Sequence, residues 1–141
     1  IMKVPKDTEY FKYYNANPHN KHTTDCVIRA ISLATGNTYN EIVRKLVEIY
    51  VKTGYHITDR KCYFKLLDQE GFKKCKQPKT SENKKLTGSE FCSSLACNNN
   101  KNIIVAHIGS HHVVCIKDNK LYDIFNCEHD YIGVYWIKEC V

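Results

Sequence analysis

Thr23-Thr24-Asp25-Cys26-Val27-Ile28-Arg29-Ala30-Ile31-Ser32-Leu33-Ala34-Thr35-Gly36 is the stretch whose reading decides the fold. Thr23, Thr24 and Asp25 supply side chains that cap a helix N-terminus, and Gly36 supplies the left-handed residue that commonly closes one. Between them only Arg29, Ser32 and Thr35 are polar. A helix that is apolar nearly all round has to lie inside its domain, so residues 26–35 read as a central helix.

Outward from it, Thr38-Tyr39-Asn40-Glu41 has the form of a capping box. Ile42, Val43, Leu46, Ile49 and Tyr50 then follow at helical spacing, with Arg44, Lys45, Glu48 and Lys52 opposite, as in an amphipathic surface helix. Thr58 or Asp59 can cap a third helix through Cys62, Tyr63, Leu66 and Leu67 that ends at Gly71. A short strand at 72–75 leads into a loop to 86, and Thr87-Gly88-Ser89-Glu90 opens a short fourth helix through Phe91 and Leu95. Residues 8–22 carry aromatic side chains but little period, and read as an ordered loop with a turn at Asn17-Pro18.

From Ile103 the period changes to that of strands, over 103–108, 112–117, 120–126 and 131–137, with the chemistry of a tight hairpin turn at Asp118-Asn119. The expected architecture is α+β: a buried N-terminal helix packed on an antiparallel β-sheet that runs as a meander. Residues 1–141 read as one domain, with a helical half at about 23–97 and a sheet half at about 103–137.

Of the 141 residues 43% are apolar and 26% charged, and a domain of this length hides about 70% of its unfolded surface without needing disulfides or a structural metal. No run of 18 apolar residues occurs, and residues 1–7 are too polar for the hydrophobic part of a signal peptide, so a soluble cytoplasmic protein is expected, with no membrane partner. The 8 cysteines then read as free thiols. No Cys-x-x-Cys or Cys-x-x-His pair is present, so neither a metal nor another cofactor is expected. The net charge of +6 comes mainly from Lys. Lys73, Lys74, Lys76, Lys79, Lys84 and Lys85 share one loop without interleaved aromatic residues or a recognition helix, the pattern of solvated surface, and nucleic acid is not expected as a partner.

Cys26 is the residue that brings chemistry to this architecture. It stands at the start of the central helix, where unpaired backbone N–H groups and the positive end of the helix dipole favour a thiolate. A thiolate nucleophile needs a base, usually His, oriented in turn by a carboxylate or amide. His112 opens an apolar strand, and Asp123 and Asn126 follow on the returning one. With Asp118-Asn119 as a two-residue turn, Lys117 pairs with Lys120, and Asp123 shares the face of His112 one diagonal step away. A three-residue loop sets Asn126 opposite His112 instead, and the sequence leaves both registers open. His111 is the competing base, and alternation sends the two side chains to opposite faces. His19, His22, His56, His107 and His129 read as surface or satisfied core residues.

A Cys at the start of a buried N-terminal helix, with His on one late strand and Asp or Asn on the next, resembles the papain-like cysteine peptidases. Thr24-Asp25-Cys26-Val27-Ile28-Arg29-Ala30-Ile31, His112-Val113-Val114 and Tyr122-Asp123-Ile124-Phe125-Asn126-Cys127 are more closely similar to a group of small phage and mobile-element proteins of low-GC bacteria. Cys26-Val27-Ile28-Arg29-Ala30 also resembles the Cys-x-x-Arg-Ala start of ovarian-tumour-type deubiquitinases. Papain carries a Gln upstream of its Cys for the oxyanion; here the nearest amides are Asn15, Asn17 and Asn20, and the backbone N–H of Cys26 with Asn17 or Asn20 is the donor pair considered. The Asn-Ser-Trp-Gly context of papain's third residue is missing, since Trp136 lies farther on.

The resemblance implies a cysteine-dependent hydrolase of the peptidase or isopeptidase type. Its triad is Cys26, His112 and Asp123 or Asn126, it acts on a peptide or protein substrate, and it works in the cytoplasm of a bacterial host cell. The alternative is a non-catalytic binding or inhibitory module on the same fold, directed at a host protein.

Overall fold

In the computed structural model, which describes residues 3–139, the apolar run folds as α1 (Cys26–Thr35), and Gly36 closes it at φ 74° with its N–H on the Ser32 carbonyl. Asp25 holds the N-cap position, yet its side chain makes no capping bond, contrary to the expectation from the Thr-Thr-Asp run. Both capping boxes form. Thr38 and Glu41 start α2 (Tyr39–Thr53) and Thr87 and Glu90 start α4 (Gly88–Cys97), each pair exchanging side-chain and backbone hydrogen bonds. Asp59, not Thr58, caps α3 (Arg60–Gln69) by accepting the Lys61 N–H.

The strands are β1 (Phe11–Tyr13), β2 (Lys73–Cys75), β3 (Ile103–Ile108), β4 (His112–Lys117), β5 (Lys120–Asp123) and β6 (Ile132–Lys138), in the sheet order β1-β5-β4-β3-β6-β2. β3, β4 and β5 make the expected meander, but β6 returns across it to pair with β3. The sheet is mixed, not antiparallel throughout, because β1 joins β5 in parallel. β1 also replaces part of the loop expected at 8–22, and with β2 it carries the sheet into the first half of the chain. Asp118 (φ 52°) and Asn119 (φ 59°) both adopt the left-handed conformation of a two-residue type I′ turn, which pairs Lys117 with Lys120 and so selects the first of the two registers.

Helices cover both faces of the sheet. On one, Ile31 and Ala34 of α1, Ile42, Leu46 and Ile49 of α2 and Leu66 and Leu67 of α3 pack with Val105, Val113, Cys115 and Trp136. On the other, Phe91, Cys92 and Leu95 of α4 pack with Phe11, Ile104, Ala106, Ile108, Val114, Ile116 and Leu121. The strict alternation of these sheet residues between the two clusters is the period-2 pattern made structural. α1 lies against β4, which sets its N-terminus beside His112. Among the described residues no helix is long and apolar enough to cross a membrane. The described cysteines are free thiols, and Cys140 lies outside the described residues.

Gly88 is where this packing is tightest. A Cβ there would meet Leu121 Cδ1 at 2.8 Å, Ile108 Cδ1 at 3.1 Å and the Glu128 Cα at 3.2 Å. The Glu128 backbone cannot retreat freely, because its carbonyl accepts the Ser89 N–H at 2.9 Å. Gly88→Ala is therefore expected to lower stability by about 1–3 kcal/mol, the usual cost of overpacking, although alanine is the better helix former by about 1 kcal/mol. A urea midpoint equal to or above that of the parent chain would contradict this.

Candidate active site

Cys26 is the first residue of α1 and His112 the first of β4. The His112 side chain and the backbone N–H of Val113 both act on the Cys26 sulfur and favour its thiolate. His112 Nε2 meets Asp123 Oδ2 in a short hydrogen bond, which leaves Nδ1 as the ring nitrogen for Cys26. Asp123 ends β5 and is 1% exposed. The Phe125 ring lies tilted against the His112 ring, with centroids 4.7 Å apart.

Burial pushes the Cys26 thiol up, but the hydrogen bond and charge of His112, the Val113 N–H and the Arg29 charge outweigh it, so the thiol lies below its ordinary value. Burial pushes the His112 imidazole down, yet its hydrogen bonds to Asp123 and Cys26 and their charges raise it to about 9. Both shifts favour the pair as thiolate and imidazolium, the form in which a cysteine nucleophile is already activated.

Behind the pair lies a second layer that the sequence reading left out. Arg29, on the turn of α1 after Cys26, donates from Nε to Asp25 Oδ1 and from Nη1 to Asp123 Oδ1, both at 2.7 Å. Asp123 Oδ1 also accepts the Ile124 N–H at 2.7 Å, and the Cys127 thiol lies 3.8 Å from Oδ2. Asp25 Oδ2 accepts from Asn17 Nδ2 at 3.0 Å and from the Tyr39 hydroxyl at 2.9 Å. The Asp25 carboxyl accordingly lies low: burial pushes it up, and the bonds from Arg29, Asn17 and Tyr39 outweigh that. Here is the reason Asp25 caps nothing, since its carboxylate is engaged with a buried guanidinium one turn along the same helix. One signal for this layer was present, a lone Arg on an apolar helix at i+4 from Asp25.

The remaining candidates fall elsewhere. Asn126 lies beyond the end of β5, where its amide donates to Glu128 Oε1 at 3.0 Å and its carbonyl accepts the Glu128 N–H at 2.9 Å, so Asp123 alone meets His112. Asn17 is buried behind the site on Asp25, and Asn20 is exposed in a turn at φ 52°. Neither lines the cleft at Cys26. His111, exposed at φ 63°, lies on the cleft rim and not on Cys26. His107 is half-buried and bonds the Tyr63 hydroxyl at 2.6 Å.

His112, Asp123 and Cys127 each present one ligand atom, all within 4.8 Å of one another, and among the described residues they are the group that could hold a metal ion. Their chemistry fits proton holding better. The Arg29 guanidinium already neutralises Asp123, and burial with the Asp123 charge pushes the Cys127 thiol well up, keeping it protonated.

A cleft of about 490 Å³ opens over the sulfur, walled by Val27, Thr58, Arg60 and Tyr63 on one side and by the 109–113 segment on the other. Comparison of the chain with family models, with curated proteins and with solved structures gives no match in any of the three.

Proposed function

We propose that this chain is a papain-like thiol hydrolase that cleaves an amide or isopeptide bond in a peptide or protein substrate. The observation that carries this reading is His112 held between Cys26 and the buried carboxylate of Asp123, with the thiol lowered and the imidazole raised.

The thiolate of Cys26 attacks the carbonyl carbon, and the electron pair moves to the oxygen. Cys26 sits in the first turn of α1, whose N–H groups have no partner within the helix, so its own backbone N–H is the oxyanion donor at the nucleophile. His112 gives its proton to the leaving nitrogen as the C–N bond breaks, leaving a thioester on Cys26. Water, deprotonated by His112, then attacks the thioester, releases the acid and regenerates the thiolate–imidazolium pair. Asp123 holds the ring in place and stabilises its positive form, and Arg29 and Ile124 hold Asp123.

Iodoacetamide labelling read by mass spectrometry tests this reading. At pH 6.5 Cys26 is expected to be alkylated ahead of the other thiols, and Cys26→Ala is expected to abolish hydrolysis of a fluorogenic peptide mixture. His111→Ala should leave the labelling rate within about twofold, whereas His112→Ala should slow it at least tenfold, as loss of an imidazolium partner predicts. A Cys26 that reacts no faster than the buried thiols sinks the hydrolase and leaves the binding module.

A further inference from the structure

Arg60 is the first residue of α3, where a cation meets the positive end of the helix dipole and helix stability does not explain it. It lines the cleft at Cys26, and among the described residues no carboxylate pairs with it. Its neighbour Asp59 is turned away to cap the helix on the Lys61 N–H. None of the residues that line the cleft is acidic; Asp130 lies against Gly109 at its rim.

Tyr63 and His107, which line the same cleft, are neutral. Tyr63 and His107 share a hydrogen bond of 2.6 Å, burial and the charges of Arg60 and Lys74 keep His107 below its ordinary value, and burial holds the Tyr63 hydroxyl protonated, up at about 12. Arg60 is exposed, so its guanidinium is accessible to an anion that enters the cleft. Arg presents a planar fork of N–H donors that matches a carboxylate.

Resting on the hydrolase reading, we propose that the cleft is a specificity subsite for a carboxylate on the substrate, with Arg60 as its counter-ion. The chemistry admits two sources, an acidic side chain near the scissile bond or a free chain terminus.

Peptides that carry an epoxysuccinyl monoester on the N-terminus and an amide at the C-terminus test it, with Glu, Gln or Lys at one position and a fourth probe that has a free C-terminal carboxylate in place of the amide. Labelling of Cys26 is read by mass spectrometry, and each rate is divided by that variant's own iodoacetamide rate. The Glu probe or the free-carboxylate probe is expected to react about five- to tenfold faster than its neutral counterpart, and whichever does identifies the source. Arg60→Gln should remove the preference and Arg60→Glu should turn it toward Lys. Equal rates for charged and neutral probes, or a preference that survives Arg60→Gln, overturn the subsite while iodoacetamide reactivity keeps the thiolate reading standing. Absence of iodoacetamide reactivity at Cys26 overturns both.

Discussion

Replacing Arg29 with Met is expected to destabilise the chain by about 3–5 kcal/mol, the cost of leaving buried carboxylates without their cation. Arg29 and Asp123 side chains are 7% and 1% exposed, and Asp25 is 6% exposed, so water cannot substitute for the guanidinium. Asp25 would keep only the neutral donors Asn17 and Tyr39 and Asp123 only His112 and the Ile124 N–H, with no cation left between the two carboxylates. Arg29→Lys keeps the charge but cannot bond both carboxylates with the same fork, so a smaller loss is expected. Urea unfolding measures both, and an Arg29→Met chain within about 1 kcal/mol of the parent would show that Asp25 and Asp123 are not held as described.

The second large effect is on the titration of Cys26. With the other cysteines replaced, the alkylation rate should reach half its plateau below the thiol's reference value of 9.0, because the rate follows the thiolate fraction and His112, Val113 and Arg29 favour the thiolate against burial. In His112→Ala the burial that raises the thiol remains and its largest opponents are gone. The half-point then moves up toward the range of an ordinary thiol, of which about 3% is thiolate at pH 7, a loss of up to about 30-fold. Hydrolysis should behave differently on the alkaline side. His112 loses its proton at about 9, so proton donation to the leaving nitrogen fails there while the thiolate persists. Amide cleavage falls above that pH and alkylation does not; two profiles that stay parallel would mean His112 gives no proton to the leaving group.

How much of this was readable in the residues follows the range of the interactions. α1 was legible because its apolar character is local, and the capping boxes of α2 and α4 because each involves residues three apart. The place of β6 beside β3 was not, since strand order is set by packing across the whole sheet. β1 has 3 residues and pairs with a strand more than 100 positions later, so no local period marks it. At the site, Cys26, His112 and Asp123 could be named from their types and positions. The choice of Asp123 over Asn126 waited on the positive φ of Asp118 and Asn119, and the bond from Arg29 to Asp123 spans 94 positions.

β1 has a further consequence, for the order in which the site is assembled. It pairs Tyr13 with Asp123, and the Tyr14 N–H donates to the Asp123 carbonyl at 2.9 Å, so the backbone of Asp123 is held by the earliest strand. Closing a loop of that span is slow, since its entropy is lost before its contacts form. A ribosome delivers Cys26 long before His112 and Asp123, and until the returning strand docks on β1 the emerging chain carries an ordinary thiol. The Cys26, His112 and Asp123 arrangement is thus complete only when the strand that carries Asp123 has joined its neighbours in the sheet.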